Sequence, residues 1–142
     1  MVTGVAAAAL VSSILFQQRT RVIEGTWIDL FEQSSFFEDE SITSACGPDF
    51  NNAPHFAYYP ERGSAEHRFV EANRKRLEEG GGVLVSENGV WPVTAYSVKF
   101  VGRHQLLGFG FGHLGSHASE YVVERLVSIE PVALVECDIR PS

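Results

Sequence analysis

The feature that most narrows the possible folds is the Asn88-Gly89 dipeptide, which sits between two β-branched runs at residues 83–85 and 90–101. A two-residue hairpin turn needs backbone conformations that Asn and Gly adopt at low cost, so Asn-Gly between apolar runs signals two adjacent antiparallel strands. Pro92 lacks a ladder donor, which places the expected start of the second strand at Val93. From there Thr94, Tyr96, Val98 and Phe100 alternate with their neighbours, the period of a pleated strand.

Other segments repeat this strand character. Residues 22–31 (VIEGTWIDLF) put Ile23, Trp27 and Phe31 on one side of a period-two pattern and Val22, Ile28 and Leu30 on the other, as in a strand covered on both faces. Phe36 and Phe37 predict a partner strand. Residues 121–129 and 132–137 predict two final strands divided by Pro131. Residues 45–63 (ACGPDFNNAPHFAYYPERG) are dense in Gly, Pro, Asn and aromatics and are expected to form a long loop pinned by Phe50, Phe56, Tyr58 and Tyr59. One helix is expected over about 64–79, with Ser64 as N-cap, Glu66 in the first turn and Gly80-Gly81-Gly82 as the stop. Its apolar stripe is Phe69, Val70 and Leu77, and Glu71 and Lys75 are spaced for an ion pair. The charges on its remaining positions, including Arg68, Arg74 and Arg76, predict a solvated face.

Several short strands with one intervening helix predict a mainly β or α+β domain over residues 21–142, a small antiparallel β-barrel or sandwich of the OB-like kind. A chain of 142 residues is long enough to bury a core without staples. Cys46 and Cys137 have no metal-binding or redox spacing, and two readings stay open: a disulfide in an oxidising compartment, or two buried thiols.

Residues 4–16 (GVAAAALVSSILF) are almost wholly apolar and precede Arg19 and Arg21. The run is shorter than the roughly 20 residues a spanning helix needs and has the length of a signal-peptide core, although no Lys or Arg precedes it. Residues 1–20 are therefore expected to be a signal, an anchor or a partner-bound segment outside the fold.

The net charge of −7 is unevenly spread. No Lys or Arg lies between Arg21 and Arg62, while Glu24, Asp29, Glu32, Glu38, Asp39, Glu40, Asp49 and Glu61 do. Such a surface offers nothing to phosphates, so nucleic acid is not expected as a partner, whereas a basic partner or a cation is favoured.

Chemistry is scarce in the motifs. His104, His113 and His117, with Glu120 beside them, form the one candidate metal set, and zinc would be its metal. His113 and His117 have H-x-x-x-H spacing, but Gly108, Gly110, Gly112 and Gly115 oppose a helix and no Glu completes H-E-x-x-H. The same glycines match no phosphate-binding loop, and no G-x-S-x-G elbow is present. Cys46 lies near His55 in sequence, which makes a Cys-His nucleophile a minor alternative.

Residues 25–38 and 96–129 resemble small uncharacterised exported bacterial proteins in which an opening G-T-W strand is followed by a V-x-F-x-G-R strand and a G-H-L-G turn. Gly25, Trp27, Phe100, Gly102, Arg103, Gly112, His113 and Gly115 carry the match. The resemblance implies a periplasmic or envelope location and no established catalytic residues; the alternative location is cytoplasmic.

Taken together, these features predict a non-catalytic binding or structural module without a cofactor, meeting a protein partner or fellow subunits of an assembly, with membrane association through residues 4–16. Binding is expected at Trp27, Phe56, Tyr58, Tyr59, Arg103 and His113. The alternative is a small metal-dependent hydrolase built on the His104, His113 and His117 turn.

Overall fold

The computed structural model describes residues 8–12, 15–16, 18–30, 33–46, 50, 52–80, 82–106, 110–112, 115, 117–132 and 136–140. Seven strands, β1 (Arg21–Leu30), β2 (Gln33–Glu38), β3 (His55–Ala57), β4 (Gly82–Ser86), β5 (Gly89–Gln105), β6 (Glu120–Val132) and β7 (Glu136–Asp138), accompany a short helix α1 (Ile42–Ala45) and a long one, α2 (Ala65–Gly80).

Five strands close a ring in the order β1-β2-β3-β6-β5, with β5 returning to pair with β1. This is the small β-rich, OB-like barrel expected from the sequence, with α2 following β3 in the chain and packing against β5. One ladder of the ring, β3 with β6, and the ladder of β4 with β7 outside it are parallel, so the sheet is mixed where the sequence predicted an antiparallel one. The three residues of β3 lie inside the segment expected to be a loop. They join β2 through Ser35 opposite His55, and β6 through Phe56 opposite Tyr121.

The two prolines do not stop their strands. β5 starts at Gly89, with Pro92 opposite Val83, and β6 continues through Pro131, which faces Tyr96. A strand position bonded on one side tolerates a missing N–H on the other. β1 pairs with β5 only from Thr94 onward, and β3 reaches β6 only at Glu120–Val122, so both prolines sit where one side is open.

Strands covered on both faces produce two cores. The barrel interior holds Ile23, Trp27, Phe36, Phe56, Tyr96, Val98, Phe100 and Tyr121, closed at one end by Val70 of α2. The opposite faces of β1, β2 and β5 turn Ile28, Phe37, Val93 and Ala95 outward against Ala45, Phe50, Ala53, Leu84 and Cys137. The alternation Phe36 in, Phe37 out is the period-two pleat applied to both cores. Gly102 lies beside a shift in the β5–β6 register, and a Cβ there would stand 2.1 Å from the Val122 carbonyl oxygen.

α2 begins as expected, with the Ser64 hydroxyl accepting from the His67 N–H at 3.0 Å. Its buried face includes Asn73, whose amide donates to the Phe69 carbonyl at 2.8 Å. Glu71 pairs with Arg74 at 3.1 Å rather than with Lys75. The Leu77 side chain lies outside the described residues.

Cys46 and Cys137 form a disulfide, which resolves the two readings of the pair and removes Cys46 as a free nucleophile. The bond ties the end of α1 to β7 within the outer core. Cross-linking residues 91 apart restricts the unfolded chain by about 4–5 kcal/mol in the chain-entropy estimate. Replacing Cys137 by Ser is expected to lower the unfolding free energy by about 2–5 kcal/mol. Urea unfolding of the variant and of the reduced wild type checks this, and unchanged midpoints would exclude a stabilising role for the bond.

Candidate functional site

Trp27 organises the site. It lies on the inward face of β1, 3% exposed, its ring stacked on Tyr96 at 4.8 Å and tilted against Phe56 at 4.9 Å. The indole N–H donates to the Ser34 hydroxyl at 2.9 Å, which donates to the Phe56 carbonyl at 3.1 Å. This relay joins β1, β2 and β3 beneath one opening. Tyr58 meets Trp27 edge-on at 6.1 Å, and its hydroxyl donates to Glu66 of α2 at 2.5 Å. Tyr59 is 80% exposed, with its hydroxyl 3.2 Å from His55 Nε2.

Between these residues and α2 lies a cleft of about 270 Å³, with Trp27 and Phe56 in its floor, Tyr58 and Tyr59 on one wall, and Val70, Glu71 and Arg74 on the other. Asp29, Ser34, His55 and Tyr59 also line an adjoining opening of about 280 Å³ that reaches Gly112. Four of the sequence-predicted binding residues thus converge, two as buried floor and two as accessible wall. Arg103 is elsewhere, paired with Glu124 at 2.9 Å on the β5–β6 surface. His113 lies outside the described residues.

The charged centre of the cleft is an ion pair. Arg74 donates to Asp29 at 2.8 Å and to Glu71 at 3.1 Å. Burial raises the Asp29 carboxyl pKa, and the Arg74 guanidinium offsets this only in part. On the neighbouring wall, burial lowers the His55 pKa, aided by His117, with the Ser34 backbone opposing. His55 Nδ1 is buried without a hydrogen-bond partner among the described residues.

The glycine-rich turn stands behind this wall. Its residues Phe111 and His117 form an antiparallel bridge. His117 Nδ1 donates to the Ala53 carbonyl at 2.9 Å, an assignment forced by the carbonyl being acceptor only. The His117 ring lies 5.2 Å from that of His55. Gly112 crosses both rings at φ +71°, and a Cβ there would fall 2.6 Å from His117 Cδ2 and 3.0 Å from His55 Nδ1.

His104 faces other partners. Its ring stacks on Tyr121 at 4.1 Å, its Nε2 lies 2.9 Å from the Ser119 hydroxyl, and burial lowers its pKa. Tyr121 donates to Glu38 at 2.6 Å, and Glu38 also receives a bidentate pair from Arg21. Burial pushes the Glu38 carboxyl up, but these donors outweigh it and hold the pKa below its ordinary value. His104, His117 and Glu120 are therefore not gathered around one point. Among the described residues no group of three or more His, Cys, Asp or Glu is placed to hold a metal ion.

No family model, curated protein or solved structure matches this chain.

Asp29, Ser34, His55 and Arg74 join the site without having been singled out for it. One signal was present: of the two carboxylates in β1, Asp29 stands directly between the apolar Ile28 and Leu30, whereas Glu24 is exposed.

Two histidines, His55 buried and His104 half-buried, give the fold an acid sensitivity whose sign follows from linkage. Unfolded, each takes a proton near pH 6.5; folded, His55 and His104 take it only at lower pH. The unfolded chain then binds more protons, so stability is complete above about pH 6.5 and falls as the pH drops toward the folded values. The melting temperature is expected to decrease between pH 7 and pH 5. A His104→Phe variant should lose less over that range, and a wild-type profile flat from pH 7 to 5 would contradict the assignment.

Proposed function

We propose that this protein is a non-catalytic binding module that engages a protein partner through the cleft between α2 and the barrel, and that it acts in an assembly at the bacterial envelope. The observation that carries the reading is the convergence of Trp27, Phe56, Tyr58 and Tyr59 with the Asp29–Arg74 pair in one opening, from elements far apart in sequence. Aromatic side chains with a polar handle, beside a few fixed charges, are the usual make-up of recognition sites.

Two features support the location. A disulfide persists most readily in an oxidising compartment. The described part of the apolar N-terminal run is helical at residues 8–12 and 15–16, and it leaves Leu10, Val11, Leu15 and Phe16 more than half exposed. Apolar groups this open suit a lipid surface or a neighbouring subunit. Among the described residues no helix is long and apolar enough to cross a membrane. A metal-dependent hydrolase draws no support from His104 and His117, which face separate hydrogen-bond partners.

Tyr59 supplies the test, because its 80% exposure lets the ring be removed without opening a core. Tagged wild type, Tyr59→Ala and a control, Val127→Ala on exposed β6, are compared by quantitative co-purification from the native envelope fraction. The cleft reading expects at least one partner recovered with wild type and Val127→Ala and depleted fivefold or more with Tyr59→Ala. Identical recoveries across all three would overturn it.

A further inference from the structure

Resting on the cleft as the recognition site, we infer that the group it receives is a basic side chain, lysine or arginine, presented by the protein partner.

Charge is the first argument. The cleft contains two carboxylates, Asp29 and Glu71, and one guanidinium, Arg74, which is bonded to both. An anion entering here meets two like charges and an arginine whose fork is occupied. A cation meets an excess of negative charge. Among the described residues no donor reaches Asp29 Oδ1, and the raised pKa of this carboxyl shows that Arg74 compensates its burial incompletely.

The rings are the second argument. Tyr59 offers an open face, and Tyr58 donates its hydroxyl to the Glu66 carboxylate at 2.5 Å, which pushes electron density into its ring. Electron-rich tyrosines attract cations over their faces, by about 0.5–2 kcal/mol depending on desolvation. The apolar floor of Trp27 and Phe56 with Val70 suits the methylene stem of such a side chain, leaving its head at the polar end.

Approach is the third. The chain from Arg21 to Arg62, which supplies β1, β2, β3 and the tyrosine wall, holds eight acidic residues and no Lys or Arg between those two arginines. A surface of that sign steers basic segments toward the opening.

The test uses the full-length, disulfide-bonded chain labelled with nitrogen-15. The probes are Nα-acetyl-lysine amide, its Nε-acetylated form, Nα-acetyl-glutamate amide, methyl glucoside, n-butylammonium and a capped Gly-Lys-Gly peptide. The lysine probe is expected to shift the Trp27 indole signal and the amides of Tyr59 and Glu71 saturably in the millimolar range. Nε-acetylation should weaken this at least fivefold, and Glu71→Gln threefold to tenfold with the melting temperature kept. Gly-Lys-Gly should bind at least as well as n-butylammonium. Tighter binding of n-butylammonium would overturn the assignment to a partner's side chain. Equal shifts of the cleft signals by the glutamate, glucoside or Nε-acetylated probes would overturn the cationic occupant while leaving the cleft as a recognition site. Lysine-probe shifts confined to residues outside the cleft would overturn both. No saturable shift with any probe would overturn the inference.

Discussion

The three residues of β3 hold the ring together. β2 has no ladder to β6, so the ring closes on that side only because His55 faces Ser35 while Phe56 and Ala57 face Tyr121 and Val122. Three parallel pairs are a weak strand by themselves. What fixes β3 is side-chain burial: Phe56 is 1% exposed and packs on Trp27, Phe36 and Phe100 at 4.9–5.4 Å. Backbone bonds from His55 to the Ser119 carbonyl and from Phe36 to the Pro54 carbonyl complete the seam. The aromatic cluster is thus the cause of the barrel's closure as much as its filling.

That seam also explains why the cleft lies where it does. A strand of three residues exhausts its pairing at Ala57, and the chain leaves the sheet at Tyr58 and Tyr59 with its rings free to line an opening. α2 then returns across the barrel end, anchored by Val70 in the core and by the Tyr96 hydroxyl donating to the Val70 carbonyl at 3.4 Å. One turn further along the helix, Arg74 reaches β1. Burying Asp29 near a barrel end costs solvation, and Arg74 is the group that offsets it. The ion pair therefore orients the helix against the barrel and sets the charge of the cleft together.

Local chemistry was legible in the sequence where the outcome depends on neighbours in the chain. Asn88-Gly89 and the Ser64 cap marked the hairpin and the helix start because their signals act over two or three residues, although the turn itself is Glu87-Asn88 and Gly89, at φ +135°, opens β5 opposite Ser86. The covered character of β1 was visible because apolar groups stand on both sides of its alternation. Pro92 and Pro131 misled because their cost depends on whether a second strand lies alongside, which is a tertiary fact. β3 was hidden for the same reason: HFA between Pro54 and Pro60 has no strand period of its own and is fixed by partners 20 and 65 residues away, as Ser35 and Glu120 stand to His55. The Asp29–Arg74 pair spans 45 positions, and its only local trace is an acid set among the apolar residues at the end of β1.

The glycine and histidine turn, the most unusual segment of the sequence, acquires a different role from the ligand set its spacing suggested. His117 is tied to the Ala53 carbonyl, two residues before His55, and Gly112 lies over both imidazoles so closely that a side chain there would displace them. The turn is therefore a backing plate for β3 and for the Tyr59 wall of the cleft. Gly110, Gly112 and Gly115 are needed for close approach, and its described histidine serves as a hydrogen-bonded strut. The adjoining opening that reaches Gly112 shares Asp29, Ser34, His55 and Tyr59 with the main cleft. The turn and the tyrosine wall meet at one buried ring, His55, whose Nε2 lies 3.2 Å from the Tyr59 hydroxyl and whose Nδ1 would stand 3.0 Å from a Cβ on Gly112.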